Sequence, residues 1–276
     1  MSLDVGTALR SGIDDLTSET GVLVGAVFLL YNLGAVVVNE SLTAELFALL
    51  YERGVYTEAE RAAIESVSGG TPFALGVGLS LTVALVVVVT LLGELVRYWA
   101  IRLFAGPDET ATASFGDRAV MAVLLGGGVA VTVLVFQSVL PIAGQLGGVA
   151  TTLVGSIAGP VVGLVLLTVF VYLRQEIALN DGGYGETLRN SFARFMDDPA
   201  SIIVLLLVLG LFGLVGSLPG FVTGLVGGSS AVGGLPLSVV SRLLSAVLGT
   251  VFQTLGIAVV TDAYLQVRTS ARESAA

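Results

Sequence analysis

The sequence predicts an all-α membrane protein, with six transmembrane helices arranged as three parallel helical-hairpin repeats and both termini on the cytoplasmic side. Three observations carry this reading. The chain is 55% hydrophobic and only 12% charged, where soluble domains run nearer a quarter charged. Several apolar runs approach or exceed the ~18 residues that span a bilayer as a helix. Arginine is unevenly shared between alternate connecting segments. A soluble core of this size would show more charge and clear amphipathic periods.

Taken in order, the spans are expected at Gly21–Val38, Phe73–Arg102, Arg118–Leu140, Val149–Arg174, Ala200–Ser217 and Leu237–Arg268. Pro72, Pro107, Pro141, Pro199, Pro219 and Pro236 stand near the breaks, which suits a residue tolerated in a first helical turn or past a helix end. Asp198-Pro199 has the form of an N-cap followed by proline at the first helical position. Pro160 falls inside the fourth span and is expected to kink it. MSLDVGTALRSGIDDL has no basic n-region running into an apolar core, so no cleavable signal peptide is expected.

With the N-terminus inside, the inner segments hold nine arginines and the outer segments only Arg53, Arg61 and Arg242. That is the positive-inside bias. The outer segment Glu40–Ser68 carries six glutamates at helical spacing. It reads either as a helical pair on the outer surface or as a solvated cap. Leu218–Pro236 is uncharged and glycine-rich, and reads as a flexible linker or a re-entrant segment.

VGTALRSGIDDL (Val5–Leu16) and YGETLRNSFARF (Tyr184–Phe195) align at an offset of 179. Gly6, Leu9, Arg10, Ile13 and Leu16 meet Gly185, Leu188, Arg189, Phe192 and Phe195. Both are amphipathic at i, i+4, i+7, which predicts interfacial helices before the first and fifth spans. FGDRAV (Phe115–Val120) is a weaker echo. The even-numbered spans close on RYWAIR, VYLRQE and AYLQVR, so that Tyr98, Tyr172 and Tyr264 each lie near arginine. The repeat units are therefore expected at about 1–106, 107–182 and 183–276 of a single membrane domain. Tyr98 and Trp99 suit an aromatic belt at the inner interface.

These entry and exit motifs resemble those of uncharacterised multi-pass haloarchaeal membrane proteins, which are similar to the membrane domain attached to some glycerophosphoryl diester phosphodiesterases. The resemblance implies a fold and a location. The phosphodiesterase catalytic domain has no counterpart here, and its histidines cannot exist in a chain with no His. The composition is in keeping with a halophilic setting. All 12 basic residues are arginine, 21 residues are acidic and the net charge is −9. High salt screens the self-repulsion of such a surface.

An acidic pI near 4.4 argues against nucleic acid as a partner, since that needs a basic footprint. The expected partners are the lipid bilayer and either a membrane protein or a second copy of the chain. Cys and His are both absent, which removes thiol nucleophiles, imidazole metal ligands and the commonest general base. No GxSxG, HExxH, P-loop or dinucleotide-binding motif occurs. No catalytic residue, metal site or cofactor is therefore expected.

Helix length places the charges by depth. Glu94 lies about 32 Å along a helix starting at Phe73, and Asp262 about 28 Å beyond Leu243. Both are expected at the inner interface of a hydrocarbon core ~30 Å thick. Glu94 and Arg97 stand at i, i+3 and are expected to pair. Arg242, near the outer face, can snorkel. Asn32 and Gln253 are the amides at depth, and either bridge helices or bind a solute. The candidate binding residues are thus Asn32, Glu94, Arg97, Gln253 and Asp262.

The expected role is non-enzymatic, structural or partner-binding. The alternative is a channel or carrier for a neutral or lipid-like solute. A lipid enzyme using scattered carboxylates with a metal ranks last. Gly155, Gly159 and Gly163 form a tandem GxxxG that favours close helix packing.

Overall fold

The computed structural model describes residues 3–68, 70–112, 114–135, 161–226, 231–232 and 235–275. Their order is α1 (Val5–Thr17), α2 (Glu19–Glu52), α3 (Glu58–Ser68), α4 (Leu79–Ala105), α5 (Phe115–Leu134), α6 (Val161–Leu179), α7 (Tyr184–Asp197), α8 (Pro199–Val226) and α9 (Leu237–Ala275). A 3-10 turn, Pro107–Glu109, follows α4. Among the described residues six helices are long and apolar enough to cross a membrane: α2, α4, α5, α6, α8 and α9. The expected kink at Pro160, the break at Pro141 and the glycines Gly155 and Gly159 lie outside the described residues.

Several boundaries differ from expectation. The first span does not end near Val38 but continues to Glu52. Within it the Ser41 hydroxyl donates to the Val37 carbonyl one turn back (2.8 Å). Only the second half of the expected outer pair, α3, is a separate helix. The second span begins at Leu79, six residues later than expected. The extended chain before it is held by α2, whose Glu40, Ser41 and Glu45 side chains accept from the backbone N–H groups of Phe73, Leu75 and Gly78 at 2.7, 2.9 and 3.0 Å. The fifth span runs through Pro219 to Val226. The linker and re-entrant readings of 218–226 are thereby corrected. Apolar surroundings favour a backbone that satisfies itself, and a helix tolerates the proline on those terms. Beyond it, Ala231–Val232 pairs antiparallel with Leu235–Pro236.

The chain divides into two compact units. The first comprises 1–25, 90–209 and 254–276. Its core includes Tyr98, Ile101, Leu173, Ile177, Ile202, Leu205 and Val259, all buried. Tyr98 packs on Phe115 with ring centroids 5.2 Å apart, and Tyr172 meets Tyr264 edge-on at 5.5 Å. All three exit tyrosines are at most 2% exposed, so Tyr98 is a core residue and not part of an aromatic belt. Its hydroxyl finds a partner in Arg102 of the next turn (3.1 Å), which removes the cost of burying it.

Asp4 caps α1 by accepting from the Thr7 N–H (3.0 Å), and Ser114 caps α5 by accepting from that of Asp117 (3.1 Å). Both cap in the usual way for helix N-termini. The faces that α1 and α7 bury are small: Ala8 and Gly12 in one, Thr187 and Ser191 in the other. Gly12 lies against α9 so closely that a Cβ there would stand 3.0 Å from the Val259 backbone nitrogen. The apolar residues on the other side, Ile13 and Phe192, are 49% and 47% exposed.

The second unit comprises 26–89 and 210–253. Phe28, Leu50, Val86 and Ala246 are buried there. Phe212 stacks on Phe252 at 5.7 Å, beside Gly216. Much of α8 turns leucine and valine outward, and only 11% of its most apolar stretch is buried. Such a surface is out of place in water.

Candidate functional site

Glu94, the one carboxylate of α4, is enclosed, at 2% exposure. Arg97 reaches it from one turn along the same helix (2.8 Å), as its spacing predicts. A second guanidinium arrives from α6: Arg174 donates through Nε and Nη2 to the two Glu94 oxygens, both at 2.7 Å. This two-pronged pairing is the strong form of a carboxylate–arginine contact. Gly126 of α5 makes the room, since a Cβ there would stand 2.7 Å from Glu94 Oε2. The backbone at that point is a π-helical turn, Ala122–Gly126.

The late start of α4 changes the depth argument. Glu94 falls fifteen residues after Leu79, about 22 Å along the helix and not 32 Å. There the two arginines neutralise it.

Asp262 does not join this cluster. Among the described residues no hydrogen bond or ion pair links it to Glu94 or Arg97. It accepts from Ser11 Oγ of α1 (3.2 Å) and from Gln266 Nε2 one turn on (2.7 Å). Burial, then the charges of Asp262 and Asp14, push the Asp15 carboxyl above the usual carboxylate range. A folded-state value above the unfolded one means the native protein binds the extra proton. Stability is therefore lost as pH rises from the ordinary aspartate value through the raised one. Asp15→Asn is expected to raise the melting temperature at pH 7 and to leave it unchanged below both values. Thermal melts across that range check this.

A second buried cluster was not singled out from the sequence. Glu176 of α6, 1% exposed, pairs with Arg194 of α7. Asn180 donates to the Glu176 carboxylate and to the Tyr264 hydroxyl. The Arg194 guanidinium lies over the Tyr264 ring, 4.9 Å from its centroid. Arg118, also buried, donates to the Gly182 carbonyl (2.9 Å) and faces Asp181 at 3.7 Å. Arg268 reaches Glu109 at 3.2 Å. VYLRQE showed the tyrosine and the charges; no spacing rule ties Glu176 to a residue 18 positions away.

In the second unit, Asn32 of α2 donates to Thr250 Oγ1 (2.9 Å) and Gln253 Oε1 (3.2 Å) of α9. The two predicted amides are thus brought together, and they also line an open groove of about 260 Å³ with Asn39, Ser245 and Gly249. Arg242 does not snorkel freely, because it pairs with the buried Glu40 and donates to the Gly70 carbonyl (2.6 Å). Glu40 was masked by its neighbours: in a stretch with six glutamates nothing marks the one that folds inward. Among the described residues no group of three or more acidic side chains could hold a metal.

A family model described as a domain of unknown function, DUF7847, matches residues 3–267. The chain belongs to this family. The DUF7847 match takes in every one of the clusters above except Arg268. No curated protein and no solved structure matches the chain.

Proposed function

We propose that this DUF7847 protein is a non-enzymatic multi-pass protein of the cell membrane, with a structural or accessory role exercised by binding a membrane partner. One observation carries the reading: the buried carboxylates Glu40, Glu94 and Glu176 are each met by an arginine from another helix. Carboxylates so engaged join helices, and are ill placed to move protons or hold substrate. The arginine bias favours cytoplasmic termini. An offset of 179 relates Ala8 to Thr187, Gly12 to Ser191 and exposed Ile13 to exposed Phe192. This supports a parallel repeat whose entry helices α1 and α7 lie in the inner interface with those apolar side chains toward lipid. The lysine-free, acidic composition favours a high-salt setting.

The groove at Asn32 and Gln253 favours a second reading, a carrier for a small neutral solute. The two are separated by stopped-flow light scattering of proteoliposomes with glycerol and urea as probes. The structural reading expects shrinkage and reswelling no faster than in protein-free vesicles. Flux that is lost in Asn32→Leu would establish the carrier instead.

A further inference from the structure

The second unit holds another cavity, distinct from the amide groove. Its volume is also about 260 Å³. One face of α2 forms its floor through Ala44, Phe47 and Ala48, with Tyr51 and Tyr56 beside them. Phe47 and Tyr56 stand with ring centroids 6.2 Å apart, at 46° to each other. Arg61 of α3 lies over the Tyr51 ring, 5.2 Å from its centroid, and also lines the cavity. Phe47 remains 39% exposed. Ligand pockets are concave and lined largely by apolar and aromatic side chains with a few placed polar groups.

The two arginines at this cavity differ. Arg242 is committed to buried Glu40 and to the Gly70 carbonyl, so it is part of the wall. Among the described residues Arg61 forms its ion pair with Glu65, through Nε at 2.9 Å, and both side chains are more than half exposed, at 56% and 57%. Exposed pairs of this kind contribute little and exchange partners readily. A ligand carboxylate or phosphate can take the place of Glu65 on Arg61 while its body enters among the rings. Size then limits the body. Sites for drug-sized ligands run from ~300 to 1,000 Å³, so this cavity admits a compact group and not a whole lipid or nucleotide.

We propose that this cavity is a binding site for a small amphiphilic anion, one carboxylate or phosphate on a compact apolar body, with Arg61 as its anchor and Phe47, Tyr51 and Tyr56 as its walls. The site is independent of the role proposed above. An anion of this kind can be water-borne or be the head of a lipid whose chains stay outside, and two probes distinguish these.

The full chain in zwitterionic nanodiscs is titrated with 2-naphthoate and, separately, with dihexanoyl phosphatidate, by calorimetry against empty nanodiscs. Saturable binding is expected for at least one probe, and which one binds identifies the source. Arg61→Gln, an exposed change, is expected to weaken it at least tenfold, and Ala48→Phe, which fills the cavity, to abolish it. The neutral analogue 2-naphthamide is expected to bind at least tenfold more weakly than 2-naphthoate wherever the latter binds. Uptake no greater than in empty nanodiscs for both probes overturns the proposal. So does binding that Arg61→Gln leaves unchanged.

Discussion

Arg194→Met is expected to destabilise the protein by about 3–5 kcal/mol, the range for removing one partner of a buried ion pair. Glu176 has almost no contact with solvent, and Arg194 is its cationic partner. Methionine keeps the volume and the apolar stem but leaves the carboxylate without its cation, with Asn180 still donating to it. The loss of the guanidinium over the Tyr264 ring adds a smaller amount. Adding Glu176→Gln to Arg194→Met is expected to restore most of the stability, since it removes the stranded charge. Thermal melts of the two variants in the same lipid decide this. Equal destabilisation in the single and double variants would show that the ion pair is not what holds α6 to α7.

Glu94→Gln is the second large effect, expected near 3 kcal/mol, the low end of the same range. Its partners Arg97 and Arg174 keep 24% and 28% of their side-chain surface, so on losing the carboxylate they can turn their charged heads toward water. For a chain of this size that corresponds to a fall of roughly 6–12 °C in melting temperature. Arg174→Gln is expected to cost less than removing the carboxylate, because Arg97 still balances Glu94. This ordering, with the carboxylate the worse loss, distinguishes a shared neutralising cluster from a simple pair.

Span number and type were legible because they rest on long apolar runs, and a window of 18 or more such residues has few other readings. Glu94–Arg97 was legible for a similar reason, since helical spacing fixes which neighbours meet. Arg174, Glu176–Arg194 and Glu40–Arg242 were not. Each joins residues from different helices, and their pairing depends on crossing geometry that no local period encodes. Boundaries failed where polar residues had two uses. Asn39, Glu40 and Ser41 read as a helix end, yet Glu40 and Ser41 serve as acceptors for the extended chain before α4. Pro219 and its glycines read as a loop, but a proline inside an apolar helix need not end it. Asp262 was grouped with Glu94 by depth alone, and depth says nothing about which side of a helix a residue occupies.

The central claim is that buried charge in this protein joins helices. A double-mutant cycle of Glu94→Gln, Arg174→Gln and the combined variant, read as unfolding free energy in bilayers, tests it most directly. Residues in one ion-pair network are expected to couple by about 0.5–3 kcal/mol, with the double variant less destabilised than the sum of the singles. Additive effects, or a Glu94→Gln protein as stable as the parent, would contradict the account and return Glu94 to the list of groups kept for chemistry or transport.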